Sequence, residues 1–175
     1  ERVIRSKGVV MASGGWVNKH VVRDLPGTFH DAYQHFHHVP FIVINVALNN
    51  WRFMYELGIT GARWYDGFAY TCNIRQPMMV GRHRPALDPD KPAVLTFYMP
   101  FHSPGLPIKA QASLGRAKLF ATSYADYEKQ IRTQMTKMFS VAGFDHKRDI
   151  EGIILNRWGH AYVVPAPGFF FDTEK

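Results

Sequence analysis

Phe41-Ile42-Val43-Ile44-Asn45-Val46-Ala47-Leu48 is the stretch that decides the fold. It is β-branched, apolar at both odd and even positions, and preceded by Pro40, which discourages a helix from running into it. Such a run predicts a strand covered on both sides. Working outward, Ala93 to Phe101 carries Val94-Leu-Thr-Phe-Tyr-Met99, a second strand that the Pro and Gly residues of 104 to 107 bring to an end. Gly152 to Val164 gives a third, long strand stopped by Pro165-Ala-Pro-Gly168. Val3 to Ala12 reads as a fourth, entering a sharp turn at Ser13-Gly14-Gly15. Between Asn49 and Pro92 the chain is rich in Gly, Pro, Asp and Trp, and Met78 to Gly81 is its best short strand.

Two segments have helical period. Phe29, Ala32, Tyr33 and Phe36 fall at i, i+3, i+4 and i+7 after Pro26-Gly27, which predicts a short amphipathic helix stopped before Pro40. Residues 123 to 142 give the clearest and longest helix. Ser123 and Asp126 form a capping box, Tyr124, Tyr127, Ile131, Met135 and Met138 trace an apolar stripe, and Gly143 closes the segment. Several strands with few helices between them predict an α+β class: a largely antiparallel sheet with helices packed on one side. At 175 residues and 46% hydrophobic content, one globular piece with one core is expected.

Composition excludes several functions. The longest apolar run, Val39 to Leu48, is broken by Asn45 and falls short of the roughly 20 residues a membrane span needs. The net charge of +7 comes from 21 Lys and Arg scattered along the chain without a dense basic block, so no nucleic-acid partner is expected. The single cysteine, Cys72, rules out an internal disulfide and reads as a buried, inert thiol. There is no G-x-S-x-G elbow, no phosphate loop and no G-x-G-x-x-G, so this chain alone does not form the usual dinucleotide turn. His30, His35, His37 and His38 lie close together, and on a continuous helix His30, Gln34 and His38 would share a face. With no Glu or Cys at ligand spacing, they read as a solvated face and no metal is expected.

The most chemically loaded segment is Asn156-Arg-Trp-Gly-His-Ala-Tyr162. Strand alternation puts Trp158, His160 and Tyr162 on one face, where an indole, an imidazole and a phenol suit a flat cofactor or a cation.

Taken in order, Gly8-Val-Val-Met-Ala-Ser-Gly-Gly-Trp16, Asn45-Val-Ala-Leu-Asn-Asn-Trp51, Ala93-Val-Leu-Thr-Phe-Tyr98 and Phe144-Asp-His-Lys-Arg-Asp-Ile150, running on into Asn156 to Tyr162, make a pattern. It resembles the bacterial flavin-containing amine oxidase and dehydrogenase superfamily, spermidine dehydrogenase type, over nearly the whole chain. The resemblance implies that residues 1–20 correspond to the strand leaving an FAD domain, 21–155 to the substrate domain and 156–175 to the return toward the flavin. It implies FAD in the complete protein, held mainly by a glycine-rich segment that this chain lacks, and as substrate a small-molecule amine, polyamines included, or a related small substrate. His160 and Tyr162 would then be catalytic, with Ser13, Gly14, Gly15, Trp16 and Trp158 near the cofactor.

The start at Glu1-Arg2-Val3 fits a fragment whose missing FAD-domain segments are elsewhere in the protein or on a separate chain. A soluble protein of the bacterial cytoplasm or periplasm is expected, with the compartment left open. The alternative is a non-catalytic binding or structural module, as a degenerate copy or as one subunit of a split assembly.

Overall fold

A computed structural model describes residues 2–65, 67–75, 78–83 and 87–171. Two compact units are present, Glu1–His37 with Val163–Lys175, and His38–Tyr162.

The larger unit is built on one sheet. Its strands are β1 (His38–Leu48), β2 (Gly61–Arg63), β3 (Thr71–Ile74), β4 (Ala93–Pro100) and β5 (Ile150–Val163), in the order β2-β3-β4-β1-β5. The β2/β3, β3/β4 and β4/β1 pairs are antiparallel. β5 also runs against β1: the Asn49 amide donates to the Asp149 carbonyl at one end, and the Asn156 side chain reaches the Val43 carbonyl further along.

Burial along β1 alternates strictly from Pro40 to Leu48. Ile42, Ile44, Val46 and Leu48 are buried, and register sets them opposite Met99, Phe97, Leu95 and Ala93, with Cys72 and Ile74 next across β3. Phe41, Val43, Asn45 and Ala47 stay half-buried on the other side. The strand expected to be covered on both sides is therefore fully covered on one only. Its apolar odd positions do not distinguish a closed face from an open one.

Helices α4 (Ile108–Ala121) and α5 (Tyr124–Phe139), with the short α3 (Arg52–Glu56), supply the side chains that cover the closed face. α5 is the longest helix among the described residues, and its cap is as expected: Ser123 Oγ accepts the Asp126 amide at 3.1 Å. Tyr127, Ile131, Met135 and Phe139 are buried at i, i+4, i+8 and i+12, and Met138 packs against the same core. Phe53 of α3 completes an aromatic cluster, its ring centroid 4.8 Å from both Phe139 and Phe144.

α4 has no counterpart among the sequence expectations. It buries Ala112, Gly115 and Leu119, and the two small residues at 112 and 115 allow close approach. A Cβ on Gly115 would lie 2.8 Å from both the Phe101 carbonyl oxygen and Pro40 Cγ.

The smaller unit holds α1 (Gly15–Val21) and α2 (Gly27–Gln34). Residues 3 to 12 form no strand, and Val3, Ile4, Val9 and Val10 are exposed. A strand needs a neighbour for its amides and carbonyls, and the described sheet offers this segment none. Met78 to Gly81 is likewise no strand but part of a tight turn, with Gly81 at φ +58° and Val80 bridged to His83. α2 ends at Gln34, so His38 opens β1 instead of sharing a helical face with His30. The apolar stripe of α2 contains no fully buried residue.

One clamp fixes where β5 begins. Arg148 donates to both carboxylate oxygens of Asp149 at 2.7 and 2.8 Å, and the Asp145 amide donates to the same carboxylate at 2.8 Å. Burial pushes the Asp149 pKa up, but the hydrogen bonds and charge of Arg148 outweigh it and hold the carboxyl below its ordinary value. A depressed native pKa contributes stability above the unfolded value of about 3.9 and loses it as pH falls through the native one. Asp149→Asn is thus expected to cost on the order of 1–3 kcal/mol near neutral pH. It should also flatten the loss of stability below about pH 4, read by urea denaturation across that range.

Candidate functional site

Alternation along β5 separates two sets of side chains. Ile153 is buried and Leu155 packs on the core, while a Cβ on Gly159 would meet the Phe120 ring of α4 at 3.1 Å. Ile150, an even position, is buried too, so the phase shifts by one residue near the start of the strand, and from Ile153 onward the odd positions face the helices. Trp158, His160 and Tyr162 take the opposite side, as the sequence period implies.

There Tyr162 joins an aromatic row, with Trp158 on the same face. The Tyr162 ring stands edge-on to Phe41 at 5.3 Å, and Phe41 lies 6.4 Å from Tyr98, so the row crosses β5, β1 and β4. His160 meets the His38 ring edge-on at 5.9 Å. Trp158 and Tyr162 are 57% and 60% exposed, whereas Phe41 and Tyr98 are half-buried. Next along the same face, in the Asn45 and Thr96 register pair, the Thr96 hydroxyl donates to Asn45 Oδ1 at 2.8 Å, which satisfies a fully buried Thr side chain.

Phe41 and Tyr98 were not identified from sequence. The available signal was that both lie at positions out of phase with the core residues of their own strands.

Ser13, Gly14, Gly15 and Trp16 lie in the smaller unit and are occupied with local packing. The Ser13 hydroxyl donates to Asn18 Oδ1, and the Asn18 amide returns a bond to the Ser13 carbonyl at 3.3 Å. Gly14 caps α1 with ordinary extended backbone, φ −61°, so the expected sharp glycine turn is absent. The glycines are needed for a different reason. A Cβ on Gly14 would lie 2.8 Å from the Trp16 indole nitrogen, and one on Gly15 would lie 2.6 Å from the Tyr33 ring. Neither glycine leaves an open cradle for a phosphate.

Cys72 points into the core from β3, where burial pushes its thiol up to about 11. Among the described residues no three His, Cys, Asp or Glu side chains gather into a metal site. No described helix is long and apolar enough to cross a membrane. Comparison of the sequence with protein-family models and with curated proteins finds no match.

The aromatic row is surface, so its residues should be separable from stability. Trp158→Ala and Tyr162→Ala are each expected to change the unfolding free energy by less than about 0.5 kcal/mol, against roughly 3–5 kcal/mol for Phe97→Ala in the core. Chemical denaturation of the three variants tests this. Cys72 should react with a thiol reagent at about pH 8 only at the rate of unfolding. Rapid labelling of the native protein would contradict its placement.

Proposed function

We propose that this chain is the substrate side of an FAD-dependent oxidoreductase acting on a small amine. In this reading the sheet face carrying Tyr98, Phe41, Trp158 and Tyr162 is the wall against which the amine lies. The observation that carries it is the aromatic row itself, spread across three strands on the face opposite the helices.

Aromatic faces attract an ammonium group through their quadrupole, by about 0.5–1 kcal/mol per contact when exposed and about 2 when water is excluded. A wall of four rings therefore gains most once another segment closes over it. The residues suit the flat ring of a flavin, whose part is to accept the hydride equivalent. They do not suit its pyrophosphate, because the space over Gly14 and Gly15 is filled by Trp16 and Tyr33. The dinucleotide arm therefore belongs to segments outside this chain.

Within the chain, Trp158 and Tyr162 would orient the substrate by stacking and by excluding water. The His160 imidazole, when neutral, would take the proton that makes the amine lone pair available.

In the complete protein, the double variant Trp158→Ala, Tyr162→Ala is expected to lower kcat/KM with an amine by more than about tenfold, or ~1.4 kcal/mol of barrier, with an unchanged fold. Unchanged turnover in the folded variant would move the row from a substrate wall to an interaction surface of a non-catalytic module. The isolated 175-residue chain is expected to retain no stoichiometric flavin absorbance after incubation with FAD and desalting.

A further inference from the structure

The helical layer carries a cavity of about 740 Å³, inside the roughly 300–1,000 Å³ typical of small-molecule sites. Its aromatic side is Trp64 and Phe68, and its polar side is Lys118 of α4 with Asp126, Lys129 and Lys137 of α5.

The aromatic wall is held in place. Gln134 is buried and clamps the loop from both directions: its Oε1 accepts the Ala69 amide at 2.8 Å and its Nε2 donates to the Ala69 carbonyl at 2.7 Å. A Cβ on Gly67 would come within 2.2 Å of the Trp64 indole and 2.9 Å of that Gln134 oxygen, so only glycine lets the indole lie down against the loop. Phe68 rests on the Tyr127 ring at 5.5 Å.

Among the described residues the cations are gathered without counter-ions. Lys129 and Lys137 are eight residues apart on α5, with Thr133 lining the cavity between them, and Lys118 reaches the same space from the last turn of α4. Lys118 is accounted for by the negative end of the α4 dipole. Lys137, in the last turn of α5, sits near the negative end of its own helix in the same way, and Lys129 alone has no such account. Among the described residues, no carboxylate forms an ion pair with any of the three. The one described carboxylate on the rim, Asp126, already accepts the Ser123 hydroxyl at 2.6 Å in the helix cap. Asp66, next to Gly67 in sequence, lies outside the described residues.

We propose that this cavity binds a phosphorylated heteroaromatic small molecule, in its simplest form a nucleoside monophosphate, with its ring against Trp64 and Phe68 and its phosphate among Lys118, Lys129 and Lys137. A flat wall lined also by three lysines that no described carboxylate pairs matches a ligand that has a π face at one end and two negative charges at the other. The same lining repels an amine, so this is a separate site from the aromatic row on the sheet.

The test is calorimetric titration of the chain at low ionic strength with AMP and, separately, with inorganic phosphate. AMP is expected to bind, and to bind at least about tenfold tighter than phosphate, because only AMP uses the aromatic wall. Its affinity should fall as salt rises from about 0.01 M to about 0.3 M. The triple variant Lys118→Gln, Lys129→Gln, Lys137→Gln changes only exposed side chains, so it should keep the native circular dichroism while losing at least about tenfold in AMP affinity. Trp64→Leu should weaken AMP and leave phosphate unchanged. The proposal is overturned if neither ligand gives heat up to millimolar concentration, or if phosphate binds as tightly as AMP. It is equally overturned if the triple variant binds like the parent, or if poly-glutamate binds at these lysines and AMP does not.

Discussion

Ile42, Ile44, Val46 and Leu48 sit on one side of β1 at 1% exposure or less, and β1 is the strand that both β4 and β5 pair with. Burying each such side chain contributes about 1.5–3 kcal/mol relative to leaving it in water. The side-chain period of a strand is two, so the contribution is tied to phase. Slipping β1 by one residue against β4 would turn Phe41, Val43, Asn45 and Ala47 toward the helices and put an amide where Ile44 now sits. Register, strand order and the face given to the helices all follow from that single constraint. The α5 stripe of Tyr127, Ile131, Met135 and Phe139 is its complement.

Fixing one face also fixes what the other can be. β4 follows β1 in phase, so Tyr98 lies opposite Val43, two residues along from the Phe41 and Pro100 pair, on the side that the helices do not cover. β5 is brought into line by the Asp149 clamp at its start and by the Gly159 contact with α4 along its length. With Gly159 held against Phe120, Trp158, His160 and Tyr162 have only the opposite side available. The aromatic row is thus a product of core packing: three strands that agree on where Ile44, Phe97 and Ile153 go must also agree on where their aromatic residues go.

What was legible in the sequence is what depends on local period. β1, β4, α5 and β5 each carry their own signal, and so does the sharing of one face by positions 158, 160 and 162. What was not legible depends on partners. The run from Val3 to Ala12 has strand composition, but pairing is non-local and the composition does not supply a neighbour. α4 was hidden because its buried face is made from Ala112, Gly115 and Leu119, where closeness to Pro40 and Phe101 matters more than side-chain bulk. Gly14 and Gly15 look like a turn because glycine permits unusual backbone angles. Here they serve the other property of glycine, the absence of a Cβ under Trp16 and Tyr33. Phe41 and Tyr98 escaped notice because membership of a row across strands is set by register, which no single strand displays.

The charge balance bears on how the two proposed sites, of opposite preference, can coexist. The three lysines around Trp64 lie on the helical layer, and the buried stripe of α5 shows that this helix stands between them and the sheet core. A helix with its side chains is about 10–12 Å across, longer than the Debye length of about 8 Å at physiological salt. Through the protein itself screening is weaker. At an effective dielectric of about 20, a unit charge about 15 Å away still repels a cation by about 1 kcal/mol. That is the size of one exposed cation–π contact. An amine on the aromatic row therefore needs several rings acting together, or carboxylates contributed by another segment, to overcome the field of a chain with net charge +7. Tyr98, Phe41 and Tyr162 in contact across three strands, with Trp158 on the same face, would supply the first of these, which is the physical reason to read the row as a unit and not as separate exposed aromatics.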